Sequence, residues 1–227
     1  VVRLFLRHVG GDLAVDHGAG GCRATRGHRA VSAGPAAPPD TRRIPGESGT
    51  WVFLFGDMLV FGAFFVTFLV ERAATPETPG IFDAGRTTLH LGVGVLNTLV
   101  LLTSSLFVVL ALGAMRTGAR QIATRAAAAA MVCGAVFIAL KVFEYVSLVA
   151  AGHGPGANDF YLYYFVLTGL HLFHVTVGLA ALAFVMTQTR RVNLSPTRTA
   201  LVEGAACFWH LVDLLWIFLF ALLYLVS

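Results

Sequence analysis

The feature that most constrains this chain is a series of five apolar runs, roughly 51–70, 91–112, 126–151, 160–187 and 201–226. Each is long enough for the about 20 residues a helix needs to cross a bilayer. In hydrocarbon every backbone polar group must be satisfied internally, which leaves helices or a closed barrel. Period-two alternation is missing from all five runs, so a barrel is excluded. The expectation is an all-α, polytopic membrane protein with five transmembrane helices. At 57% hydrophobic and 12% charged residues, the chain also has too little polar surface to cover a soluble globule.

The charges outside the runs orient the bundle. The sixteen Lys and Arg outnumber the twelve Asp and Glu, but they cluster before the first run and between runs. This pattern signals topology and excludes a nucleic-acid-binding face. Arg116, Arg120 and Arg125 lie between the second and third runs, and Arg190, Arg191 and Arg198 between the fourth and fifth. The positive-inside rule therefore places the N-terminus in the cytoplasm and the C-terminus outside. Residues 1–45, rich in Gly, Ala, Pro and Arg, read as a disordered basic extension. Residues 46–227 form the membrane domain. Ser195-Pro196 suits an N-cap followed by the first helical position, and Asn158-Asp159 suits the start of the fourth helix. Three widely separated cysteines without a CxxC pair indicate neither a disulfide framework nor a zinc site.

Ionisable groups at membrane depth are costly in lipid, so they face protein or water and are functional candidates. The first run holds Asp57, the third Lys141 and Glu144, the fourth His171 and His174, and the fifth Glu203, Trp209, His210 and Asp213. Helical rise puts Asp57 and His174 toward the inner level and Lys141, Glu144, His171, His210 and Asp213 at a middle-to-outer level. Lys141 with Glu144, His171 with His174, and His210 with Asp213 are each three residues apart, so each pair shares a helix face. Lys141, the single lysine of the chain, needs a carboxylate, and Glu144 and Asp213 both qualify. The middle set reads as an interhelical polar network, with proton conduction as the alternative. Asp57, which has no basic companion on its own helix, is either a buried hydrogen-bonding acid or a proton-uptake group. Glu203 is expected to pair with Arg190, Arg191 or Arg198, and Glu203 and Trp209 to contact lipid or the cytoplasmic edge. Terminal aromatics, including Trp51, Tyr161, Tyr163, Tyr164 and Tyr224, read as interface belts. A haem between His171 and His210 is opposed by the charges at nearby depth. A metal centre would require more converging imidazoles; no metal ligand and no catalytic residue is assigned.

Five stretches carry a family resemblance. They are Gly49-Thr-Trp-Val-Phe-Leu-Phe-Gly-Asp57; Leu96-Asn97-Thr98 with Ser104-Ser105; Phe137-x-x-x-Lys141-x-x-Glu144-Tyr145; Tyr164-Phe-x-Leu-Thr168-Gly169-Leu-His171-x-x-His174-Val175; and Trp209-His210-x-Val-Asp213-x-x-Trp216. Together, in order, they resemble subunit III of the haem-copper oxidases over about residues 45–227. The chain departs from the usual cytochrome oxidase version at Asp57, where glutamate is common, and at Lys141, where glutamine is common; the Lys-x-x-Glu-Tyr form, with Thr168-Gly169-Leu-His171 and Trp209-His210-x-Val-Asp213-Leu-Leu-Trp216, looks nearer the NorE-type branch associated with nitric oxide reductase. The resemblance implies a subunit without its own cofactor, binding phospholipid, with haem and copper or iron carried by a catalytic partner subunit. It also implies that the first two helices splay from the other three around a lipid-filled cleft. It places Asp57 near the proton-uptake side of the partner, and Glu144, His171, His210 and Asp213 in interhelical contacts. The function so implied is accessory: assembly, lipid binding and support of proton uptake in a bacterial-type plasma membrane. A free-standing proton-coupled transporter or an assembly factor is the competing reading. An odd helix count without inverted repeats counts against the transporter.

Overall fold

The computed structural model describes residues 48–74, 78–191 and 194–225; the expected N-terminal extension lies outside them. Its elements are α1 (Ser48–Ala73), α2 (Thr78–Thr87), α3 (Leu91–Arg116), α4 (Arg120–Ala150), α5 (Asp159–Thr189) and α6 (Pro196–Phe220). A five-residue π-helical extension, Ala221–Leu225, continues α6. The described residues are all-helical, and five helices are long and apolar enough to span a membrane: α1, α3, α4, α5, and α6 with its extension.

The helix ends follow local chemistry. Asn158 caps α5 by accepting from the Tyr161 backbone N–H at 3.1 Å. Ser195 caps α6 by accepting from the Arg198 backbone N–H, with Pro196 opening the helix. The three-residue reversal between α3 and α4 passes through Gly118 at φ 75°, a left-handed conformation that strains residues bearing a Cβ.

That short reversal makes α3 and α4 antiparallel neighbours. Their facing surfaces are small: Ala111, Ala114, Ala123, Ala126, Ala127 and Ala130 are all buried. Small side chains let the backbones approach closely, so Ser104 Oγ reaches across to donate to the Ala130 carbonyl at 2.9 Å. α6 packs on the other side of α3, held by a series of rungs. Arg116 meets Glu203, Ser105 meets His210, and the Trp216 indole N–H donates to Thr98 Oγ1 at 3.0 Å. Nearer the far end, Gly94 lies against Phe220 and Tyr224. This corrects the expected splaying of the first two spans, since the second span, α3, is seated firmly on α4 and α6.

α1 is the helix that stands at the edge. It touches its neighbours mainly through rings: Phe53 with Phe208, Phe65 with Phe218, Phe68 with Tyr163, and Phe61 with His174. A groove of about 290 Å³ opens between α1 and α6, lined by Trp51, Phe55 and Met58 on one side and Cys207, His210 and Leu214 on the other.

Sequence periodicity had no place for α2, whose Pro79, Gly80 and Gly85 weaken a helix signal. Tertiary packing forms it. Phe82 is buried between Phe68 and Phe160, with ring centroids 5.2 and 5.7 Å away. Just beyond the helix, Thr88 Oγ1 shares a 2.7 Å hydrogen bond with the Tyr161 hydroxyl.

Candidate functional site: buried polar pairs

The deepest charge of the bundle is Lys141, whose side chain is 1% exposed. Its ammonium donates to Glu144 Oε2 at 2.8 Å, to the Tyr164 hydroxyl at 3.0 Å and to the Tyr224 hydroxyl at 3.3 Å. Three donors thus meet three acceptors. The Tyr224 hydroxyl in turn donates to Glu144 Oε1 at 2.7 Å, so both carboxylate oxygens are occupied. The rings of Tyr145, Tyr164, Trp216 and Tyr224 all lie within 5.8 Å of the ammonium, a cage whose π-faces favour a cation. Of the two carboxylates open to Lys141 from sequence, the lysine takes Glu144. It lies one turn further along the same helix, so no interhelical distance has to be bridged.

Tyr161, Tyr164 and Tyr224 are buried, which corrects their reading as interface-belt residues. Two of them complete the lysine's shell and the third ties α5 to the segment after α2. Spacing had a partial signal for this: Tyr145 follows Lys141 by four residues, one helical turn. Tyr224 had none, because only the packing of the C-terminal extension beside α4 brings it there.

A second pair joins α1 to α5. His174 Nε2 lies 2.9 Å from Asp57 Oδ1, and its Nδ1 lies 2.8 Å from the Leu170 carbonyl. A carbonyl oxygen only accepts, so Nδ1 carries a proton. The short approach of Nε2 to the carboxyl then requires a second proton between them. Either an imidazolium faces a carboxylate, or a carboxylic acid donates to a neutral ring. In both cases the unit holds one shared proton and is neutral overall, which suits a site at membrane depth. Phe61 stands edge-on to the imidazole at 5.3 Å. Asp57 Oδ2 is buried without a protein partner.

The remaining residues of the expected network do not form one continuous array. His210 Nδ1 lies 2.5 Å from Ser105 Oγ while the ring borders the α1–α6 groove. Its predicted partner, Asp213, does not meet it directly; the Ser105 hydroxyl, which both donates and accepts, lies close to Asp213 as well and can serve both. His171 is packed against Phe137 and Trp216, with centroids 5.7 and 5.4 Å away, and neither ring nitrogen has a partner. His171 is thus wedged between these rings, while His210 borders the α1–α6 groove. Among the described residues no group of three or more His, Cys, Asp or Glu side chains is placed to hold a metal ion.

Two contacts differ from expectation. Glu203 pairs with Arg116, not with Arg190, Arg191 or Arg198; the N–O distance is 3.1 Å. The antiparallel α3–α6 register brings the end of α3 opposite the second turn of α6, while Arg198 reaches Gln188 Oε1 at 3.3 Å. With Arg116 71% exposed, this pair is a solvated rim contact of small energetic weight. Trp209 is wholly buried and so touches neither lipid nor the edge. Its ring fills a slot left by two glycines: a Cβ on Gly178 would stand 2.7 Å from the indole, and one on Gly134 2.8 Å from it.

What the fold and these pairs define is a polytopic helical membrane protein that shelters paired ionisable groups between its helices. The family model described as cytochrome c oxidase subunit III matches residues 44–227. A cytochrome bo(3) ubiquinol oxidase subunit 3 of Pseudomonas putida is 32% identical over 179 residues, which cover 79% of this chain and 84% of that protein. A cytochrome c oxidase subunit 3 of Thermostichus vulcanus is 32% identical over 194 residues, covering 83% and 89%. One from Alkalihalophilus pseudofirmus is 29% identical over 201 residues, covering 87% and 96%. The chain belongs to the cytochrome c oxidase subunit III family, and it is a multi-pass plasma membrane protein.

Proposed function

We infer that this chain is the non-catalytic third subunit of a respiratory haem-copper oxidoreductase, seated against a catalytic subunit that carries the haem and the copper or iron. The observation that carries this reading is the family match across all five spans, joined to the placement of the Asp57–His174 unit. That unit bridges α5 and the edge helix α1, where a neighbouring subunit can reach it. With the arginine-bearing connections in the cytoplasm, Asp57 lies on the inner half of the membrane, the side from which a proton-consuming partner draws its protons. Asp57 and His174 are the groups through which the chain supports proton uptake by that partner. The α1–α6 groove, apolar and open sideways, suits acyl chains of membrane phospholipid.

A nitric oxide reductase is the second reading of the partner. The specific observation favouring it is Lys141, which stands where glutamine is common in the cytochrome oxidase form and whose cage is complete in this chain. Purification through a tag on this chain from its native membrane tests the main reading. A haem-containing subunit is expected to co-purify, and the Soret absorbance is expected to stay with that subunit when the two are separated. Absorbance that remains with this chain, or recovery of this chain without any haem protein, would reject the reading.

A further inference from the structure

Three side chains of kindred chemistry line the groove between α1 and α6. Met58 enters it from α1, and Cys207 and His210 enter it from α6. They bring a thioether, a thiol and an imidazole to one cavity of about 290 Å³, whose other walls are aromatic or aliphatic. An acyl chain lying in the groove is served by those apolar walls alone. The sulfur and nitrogen atoms suit a different guest.

Helical geometry gathers two of the three. Cys207 and His210 are three residues apart on α6, so their Cβ atoms stand about 5–6 Å apart on one face, a span that a single bound cation bridges. Met58 faces them from the opposite wall and is 42% exposed. Its unbranched thioether side chain can swing to meet them.

The imidazole is oriented from behind. Its Nδ1 lies against Ser105 Oγ on α3, and Asp213 lies close to the same hydroxyl. When Nδ1–H donates to Ser105 and Ser105 donates to Asp213, all three are satisfied and the lone pair of the ring stands on Nε2. Nδ1 faces α3, so Nε2 is the ring nitrogen left for the groove. Ligating histidines are held in this way, with the second nitrogen engaged by a polar neighbour.

Membrane depth then selects the ion, because net charge is costly there. A divalent cation on one thiolate keeps a positive charge, whereas a monovalent cation cancels it. Thiolate and thioether donors favour soft ions, Cu(I) among them. Zinc is a poorer match, since it takes four ligands of the Cys, His and carboxylate kind, and no three such side chains converge among the described residues.

We propose that Met58, Cys207 and His210 form a Cu(I)-binding site in the α1–α6 groove. On binding, the Cys207 S–H bond gives way to a sulfur–copper bond and one proton is released to the medium. Copper stays Cu(I) throughout. The site is independent of the Asp57–His174 unit and of which catalytic subunit the chain serves.

Thiol labelling of the intact, reduced complex without oxygen tests this, with maleimide as reagent, Cu(I) as probe and peptide mass spectrometry as readout. One equivalent of Cu(I) per chain is expected to protect Cys207 and to leave Cys133, also half-buried, reactive. Met58→Leu and His210→Leu are each expected to raise the Cu(I) concentration for half-protection by at least about tenfold, the scale on which metal sites lose affinity when their surroundings are altered. Copper counted in the loaded complex is expected to exceed that of the Cys207→Ala complex by one atom per chain, a comparison that also decides the matter if Cys207 resists the reagent. Equal protection of Cys133 and Cys207 would overturn the proposal, as would half-protection unmoved by both variants, the signature of a lone thiol. So would equal copper content in the wild-type and Cys207→Ala complexes.

Discussion

Replacing Glu144 with leucine removes the single carboxylate that faces Lys141 while leaving the ammonium in place. The side chain of Lys141 is 1% exposed, so its charge would be held by two tyrosine hydroxyls and four ring faces. Breaking a buried ion pair from one side typically costs about 3–5 kcal/mol, because it strands a charge. Cation–π contacts contribute about 0.5–2 kcal/mol at such sites, and they are present before and after, so they do not offset the loss. Lys141→Met strands the buried Glu144 carboxylate in the same way and is expected to cost on the same scale, about 3–5 kcal/mol. The remaining carboxylate keeps the Tyr224 hydroxyl. The double variant leaves neither charge and is expected to lie within about 1 kcal/mol of the wild type, since apolar replacement of a whole buried pair is often neutral. Lys141→Gln, which retains a donor toward Glu144, is expected to be mild. Thermal or denaturant stability of the purified complex, followed by size-exclusion profile, measures all four. If both single losses are small, or if they simply add in the double variant, the caged pair is not a coupled unit and the reasoning fails.

Three further outcomes follow from named contacts. Gly178→Ala places a methyl 2.7 Å from the Trp209 ring and is expected to destabilise by about 1–3 kcal/mol through overpacking. Gly169→Ala, whose added methyl meets nothing within 4 Å, is expected to be neutral or to stabilise by up to about 1 kcal/mol through helix propensity; equal melting shifts for the two would contradict the slot. His210→Leu removes a bond to Ser105, not to Asp213, so its expected cost is only about 0.5–1.5 kcal/mol with assembly yield preserved. Loss of the complex in a pull-down would show that His210 supports more than Ser105.

Much of the fold was legible because membrane physics leaves few choices. The five apolar runs each became a helix, and Asn158 and Ser195 cap where turn chemistry places them. What escaped the sequence depended on which helix lies beside which. Spacing allowed Lys141 either Glu144 or Asp213, and only the packing of Tyr164 and Tyr224 around Glu144 shows which carboxylate it takes. Glu203 went to Arg116 because the antiparallel register of α3 and α6 outranks nearness in sequence. Trp209 looked like an interfacial residue until Gly134 and Gly178, distant in sequence, were found to open an interior slot for it. The short helix α2 was invisible for the same reason: Phe82 acquires its burial from Phe68 and Phe160, not from any periodicity of its own.

The proposed role of Asp57 and His174 is to keep a proton-consuming catalytic partner supplied, so that sustained turnover does not inactivate it. Turnover of the purified complex measures it most directly, as initial rate and as activity remaining after sustained catalysis, for the wild type, for Asp57→Asn and for the complex stripped of this chain. The account requires haem content and initial rate to be largely retained in all three, with faster loss of activity in the altered pair. An initial rate abolished while haem is retained, or an unchanged catalytic lifetime in both altered forms, would contradict it.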